Sequence, residues 1–160
     1  MATSKRCAVD PQKMPATEDR FLIDSSAWIE YLRATGSATN LLVRRMIGRP
    51  DTIAITEPIV MELLAGARDP EAQRKIERLV DGAILLSIEN DTDWRDAAAL
   101  YAAARRRGRT IRKLVDCLIA IVAARTGAIL VHDDADFDVI AECLSSMKVR
   151  RALPNQPRRA

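Results

Sequence analysis

The sequence predicts an α/β fold of three layers, α/β/α, in which helices cover both faces of a central, mostly parallel sheet. Three observations lead there. Short apolar segments alternate with longer stretches of helical periodicity. The short segments are apolar at successive positions, so both of their faces need cover, which is the habit of parallel strands. No internal repeat or linker-like stretch interrupts the alternation.

Each element follows in order. FLID (21–24) reads as a first strand, and Ser25 or Ser26 caps a helix through Leu32 that carries Trp28 and Leu32 on one face. Gly36 and Ser37 punctuate before a second helix, to Ile47, with Leu41, Leu42 and Met46. TIAIT (52–56) is a second strand. Pro58 then sits where a helix begins, IVMELLAG follows, and Gly66 lies near its end. Asp69 and Pro70 open another helix, apolar at Ile76, Leu79 and Val80. AILLSI (83–88) is a third strand, and a helix over 92–107 stops at Gly108. A further helix ends at Gly127, AILV (128–131) is the fourth strand, and the chain leaves it through HDDAD. A last helix is expected over 137–146 and a short fifth strand over 148–152.

A chain of 160 residues fits one domain with a core of its own. That domain is expected over 20–152, between a polar, mobile leader at 1–19 and a basic, flexible tail at 153–160. The leader lacks the apolar region of roughly 7–15 residues that a signal peptide needs. No run approaches the roughly 20 apolar residues of a membrane span, so no membrane association is expected. Cys7, Cys117 and Cys143 are an odd number without CxxC spacing and read as reduced thiols in a cytoplasm. The net charge is only +3, yet Arg105, Arg106, Arg107, Arg109, Arg112 and Lys113 fall within nine residues. Alone, that run reads as a solvated helix end whose cations complement the helix dipole. Beside an anionic site it reads as a phosphate-facing patch.

The stretch 109–137 gathers the candidate chemistry. Asp116 interrupts an apolar pattern of Leu114, Val115, Leu118, Ile119, Ile121 and Val122, where a charge needs water, a partner or a cation. Asp24 ends the first strand, and Asp133 and Asp134 follow the fourth. In an open parallel sheet, ligands bind beyond the carboxyl ends of the strands, where the strand order reverses. These acids therefore converge if the first and fourth strands are neighbours. Asp116 heads the helix leading into the fourth strand and starts on the same edge. Glu62, between apolar neighbours on the helix after the second strand, is the remaining candidate.

Singly, each acid has a plainer role. Asp24 can cap the first helix, Glu62 can be a surface carboxylate, and Asp134 and Asp136 can cap the helix that follows them. His132, the chain's one histidine, reads as strand-end structure rather than a base. Together, four acids on one edge repel unless cations lie among them. Oxygen-only ligation suits Mg²⁺ or Mn²⁺, and no Cys/His cluster offers a softer metal a site.

FLIDSSAWIEYL, TEPIVMELLAG and VDCLIAIVAARTGAILVHDDADF resemble, in order and spacing, the three signature segments of PIN-domain ribonucleases, specifically the VapC toxins of bacterial toxin–antitoxin pairs. The resemblance covers about residues 21 to 150. It implies a compact α/β/α fold and a Mg²⁺- or Mn²⁺-dependent endoribonuclease that hydrolyses RNA phosphodiester bonds. It also implies a homodimer, and neutralisation by a cognate antitoxin whose tail occupies the active-site groove. Carried over by position, Asp24, Glu62, Asp116 and Asp134 match the family's acidic quartet, at once catalytic and metal-binding. Asp136 matches a frequent fifth acid, and Ser26 the small hydroxyl residue after the first. On this reading Asp24 and Asp116 take the principal ion, and Asp134 with Glu62 serves a second ion or the attacking water. Arg109, Arg112 and Lys113 guide the RNA backbone. Two departures stand out: His132 replaces the usual Thr or Ser, and the leader is longer than usual, which makes Met14 an alternative start.

Rival readings lack their residues. A signalling receiver domain needs paired acids after its first strand and a phosphoacceptor Asp after its third, where this chain has Asp24-Ser25 and Glu89-Asn90. A haloacid-dehalogenase-type phosphatase needs Asp-x-Asp, and Asp24-Ser25-Ser26 lacks the second acid. The remaining alternative is a non-catalytic module that binds RNA or protein on the same fold. Trp28, Tyr31, Leu41 and Leu42 on the early helices either pack the core or meet a second copy or an antitoxin helix.

Overall fold

Leu22, Ile23, Ala54, Ile55, Leu130 and Val131 are at most 1% exposed, and they are successive residues in three neighbouring strands. Burial at successive positions means that both faces of the sheet are covered. The computed structural model describes residues 19–152; the expected leader up to residue 18, with Cys7 and Met14, and the expected tail from residue 153 lie outside the described residues.

Among the described residues, five strands, β1 (Phe21–Ile23), β2 (Ile53–Ile55), β3 (Ile84–Leu85), β4 (Ile129–His132) and β5 (Lys148–Arg151), form one sheet in the order β3-β2-β1-β4-β5. Every pairing is parallel. The chain builds outward from β1 through β2 to β3, then returns to the other side of β1 with β4 and β5. The order therefore reverses between β1 and β4, the position where an open parallel sheet leaves a crevice. Those two strands pair Phe21 with Ile129, Leu22 with Leu130 and Ile23 with Val131. Asp24 N extends the ladder to Val131 O at 2.9 Å, so the segments that leave β1 and β4 depart side by side.

Among the described residues, seven α-helices supply the outer layers: α1 (Ser25–Leu32), α2 (Ala38–Ile47), α3 (Glu57–Ala65), α4 (Pro70–Asp81), α5 (Thr92–Arg106), α6 (Leu114–Thr126) and α7 (Ala135–Cys143). Side chains of Asp24, Ser37, Asp69 and Asp134 cap α1, α2, α4 and α7, each accepting an otherwise unpaired backbone N–H. Helix α6 is buried nearly all round, through Cys117, Leu118, Ile119, Ala120, Val122 and Ala123. It stops at Gly127, whose φ of +70° is open to glycine at no steric cost. Beside it, the carboxylate of fully buried Asp93 receives Arg125 Nε at 3.0 Å and Nη2 at 2.8 Å, tying α5 to α6.

Most strand ends shift by a residue from the sequence reading, and three larger differences have a local reason. The third strand is two residues rather than six, because its continuation pairs with side chains: Arg125 Nη2 donates to Ser87 O, and Ile88 N donates to Glu57 Oε2. Helix α7 begins at Ala135 rather than 137, since Asp134 caps it, and ends at Cys143. Asp24, not a serine, caps α1. Trp28 belongs to the core at 1% exposure, whereas Leu41 faces outward at 42%. Among the described residues no helix is long and apolar enough to cross a membrane. Cys117 is buried, and burial pushes its thiol up to about 12, far from the reactive range.

Candidate active site

The topology places Asp24 at the carboxyl end of β1, where it is 3% exposed. Ser26 gives the Oδ2 of Asp24 two hydrogen bonds, from its backbone N at 2.9 Å and from Oγ at 2.5 Å. The same Ser26 Oγ accepts from Asp133 N at 3.0 Å, so one hydroxyl joins the loop after β1 to the loop after β4. Burial raises the pKa of Asp24; the Ser26 bonds oppose that shift, and Glu62 adds to it by repulsion.

Glu62 comes from α3, half-buried, and Ser25 Oγ donates to its Oε2 at 2.6 Å. Asp116 sits in the first turn of α6 at 3% exposure. Its pKa is raised to about 7, first by burial and then by repulsion from Asp24, with Asp134 and Glu62 adding and Lys113 opposing. One of its oxygens, Oδ2, is buried without any hydrogen bond. Asp134 caps α7, and its Oδ1 accepts from Asp136 N at 3.0 Å and Arg112 Nη2 at 2.5 Å. Four acids thus share one electrostatic neighbourhood, and an oxygen of buried Asp116 lacks a partner there.

The model of the PIN domain matches residues 21–142. Ribonuclease VapC11 of Mycobacterium tuberculosis H37Rv is 53% identical over 121 residues, which is 75% of this chain and 90% of the relative. This chain belongs to the PIN-domain family, among the VapC ribonucleases. VapC ribonuclease Mb1587 of Mycobacterium bovis matches over the same share at the same identity. In fold, this VapC resembles DNA-bound VapBC of Salmonella typhimurium, with a TM-score of 0.65 at 17% identity over 85% of this chain and 100% of that one. It also resembles VapC20 of Mycobacterium tuberculosis, a sarcin–ricin loop cleaving toxin, with a TM-score of 0.57 at 20% identity over 74% and 92% of the two chains.

The VapC acids suit a hard divalent cation in donor chemistry. All are oxygen donors, and protein donors gather on one oxygen in three of them: Oδ2 of Asp24, Oε2 of Glu62 and Oδ1 of Asp134. The orphaned Oδ2 of Asp116 is a buried polar atom that otherwise costs free energy without return. Among the described residues no three His, Cys, Asp or Glu side chains stand close enough to hold an ion as placed; Asp134 is taken by Arg112 instead.

The flanking residues divide. Arg109 pairs with Glu142 at 2.6 Å, Arg112 pairs with Asp134 and Asp136, and Lys113 is exposed with no ion pair among the described residues. His132 is fully buried against Phe137, ring centroids 5.2 Å apart. Its Nδ1 lies 2.8 Å from Asp134 O, an arrangement that makes Nδ1–H the donor. Burial lowers its pKa, and Nε2 is sealed from water. Sequence reasoning named Ser25 only as a capping residue and missed its bond to Glu62. It also missed the pairing of Arg112 with the acids after β4. The consecutive serines after Asp24 were the only local sign of the first; nothing local announced the second.

Proposed function

We propose that this VapC hydrolyses RNA phosphodiester bonds at the Asp24, Glu62, Asp116 and Asp134 site with Mg²⁺ or Mn²⁺. The observation that carries this reading is buried Asp116, with an unpartnered oxygen and a pKa raised to about 7 among three other acids. Such crowding destabilises the metal-free fold and gains most from a divalent cation. A cation held there supplies acidification of water and charge relief at phosphorus.

The chain's own residues do the rest. Asp24 and Asp116 would hold the principal ion, while Asp134, at the start of α7, and Glu62, on α3, would orient water or a second ion. Ser26 keeps Asp24 from turning away, and Ser25 does the same for Glu62. His132 is no general base, because its free nitrogen is sealed inside the fold. Lys113, and Arg109 when released from Glu142, give RNA phosphates a basic approach.

The antitoxin and homodimer surfaces belong to the early helices. Ile29, Leu41, Met61 and Leu64 are exposed at 36% or more on α1, α2 and α3, apolar surface that a partner helix can cover. Action in the cytoplasm completes the proposal. It is tested by incubating purified protein with mixed RNA and Mg²⁺, with EDTA and an Asp116→Asn preparation beside it. Cleavage confined to the metal-loaded wild type is expected, and equal cleavage by the Asn protein refutes the site.

A further inference from the structure

Arg112 stands in the loop before α6 with a side chain 64% exposed, yet all its polar contacts turn inward. Its backbone N donates to Asp136 Oδ2 at 2.8 Å, its Nε to Asp136 Oδ1 at 3.0 Å and its Nη2 to Asp134 Oδ1 at 2.5 Å. Asp136 is only 5% exposed, and one arginine takes both of its oxygens. Asp134 receives Arg112 and the α7 backbone on the same oxygen. One acid holds the arginine, and the arginine holds the next acid.

We propose that Asp136 is a scaffold acid rather than a metal ligand, and that Arg112 is a positioning residue that turns Oδ2 of Asp134 toward the site. Arg112 then leaves the set of RNA contacts, and the basic approach falls to its neighbours. This inference rests on the metal-dependent reading above. Buried Ile111, at 3% exposure and part of the core, anchors the loop that carries the arginine. A planar guanidinium can reach two carboxylates at fixed angles; a lysine ammonium cannot reproduce that fork.

The experiment is a double-mutant cycle of Arg112→Ala and Asp136→Asn, read by cleavage rate, by Mn²⁺ affinity and by the salt dependence of RNA binding. Misplacing Asp134 is expected to lower kcat on the order of 10- to 100-fold in either single variant. The double variant should be no worse than the singles, because both changes break one unit. Arg112→Lys should not restore kcat. The salt slope of RNA binding should stay at the wild-type value in Arg112→Ala; a slope reduced by about one marks Arg112 as a phosphate contact and overturns the inference. A further loss of Mn²⁺ affinity of about tenfold or more when Asp136→Asn is added to Arg112→Ala makes Asp136 a ligand, and likewise overturns it. Melting of each metal-free variant checks the fold. Arg112→Gln, exposed and outside α7, repeats the rate and salt readouts if the Asp136 variant does not fold. Full metal-dependent cleavage by Asp24→Asn defeats the assignment of the reaction to these acids, whatever Arg112 does.

Discussion

Ser25 donates its hydroxyl to Glu62 at 2.6 Å, a bond between residues 37 apart in sequence that ties the helix after β1 to the helix after β2. Ser25 is 8% exposed and Glu62 half-buried, so the bond is partly shielded from water. Ser25→Ala should cost about 1 kcal/mol of stability, the usual net value of a partly buried hydrogen bond. Cleavage should slow several-fold, because Glu62 regains rotamers that point away from Asp116. Urea unfolding in EDTA and single-turnover rates check both parts. Unchanged values in both would reduce the bond to an incidental contact.

Asp116 links pH to stability. The unfolded carboxyl releases its proton near the ordinary 3.8, while the folded one holds it to about 7. Metal-free protein is therefore most favoured below the lower value and loses stability as pH rises through the upper one. Asp24 is shifted in the same direction. Asp116→Asn should flatten that decline and leave the metal-free protein a few kcal/mol more stable at pH 8, while abolishing cleavage. Chemical denaturation at pH 5 and pH 8 in EDTA provides the comparison, and parallel curves for wild type and variant would contradict it.

How much of this was legible in the sequence depended on whether the signal was local. FLI, IAI and ILV announced buried strands, and acids placed after the first and fourth converged because those strands pair directly. Asp116 was conspicuous as a charge inside an apolar helix. Arg112 looked like part of a basic run, because nothing within a few residues reveals that its partners lie 22 and 24 positions away. The length of β3 was hidden for a similar reason: just beyond it, the backbone at Ser87 and Ile88 is satisfied by Arg125 and Glu57, side chains from other elements.

Asp93 carries a prediction for the fold alone. It is fully buried, and its carboxylate meets Arg125 through two nitrogens, while Arg125 also reaches Ser87 O and Glu89. Removing one partner leaves a guanidinium without its main counter-charge. Asp93→Ala should destabilise the protein by about 3 kcal/mol, the lower end for broken buried pairs because Arg125 still touches solvent. Guanidinium-chloride midpoints measure this. A loss under about 1 kcal/mol would show that water replaces the pair at little cost.

Divalent cations supply the final prediction, through the melting temperature rather than through turnover. Acids that repel one another in the metal-free fold bind a cation only when folded, since the unfolded chain scatters Asp24, Glu62, Asp116 and Asp134 far apart. Binding to the folded state alone at about 100 times Kd adds about 2.7 kcal/mol of stability. For a domain of this size that corresponds to a rise in Tm on the order of 10 °C. Mg²⁺ and Mn²⁺ should both produce it at pH 8, and the rise should shrink at pH 5, where Asp116 keeps its proton. Asp24→Asn and Asp116→Asn should lose most of it. Asp93→Ala should keep it in full despite its lower starting Tm, because its damage lies outside the acidic cluster. Calorimetry with and without EDTA separates these cases: an equal rise in the wild type and the two Asn variants would place the cation elsewhere on the surface.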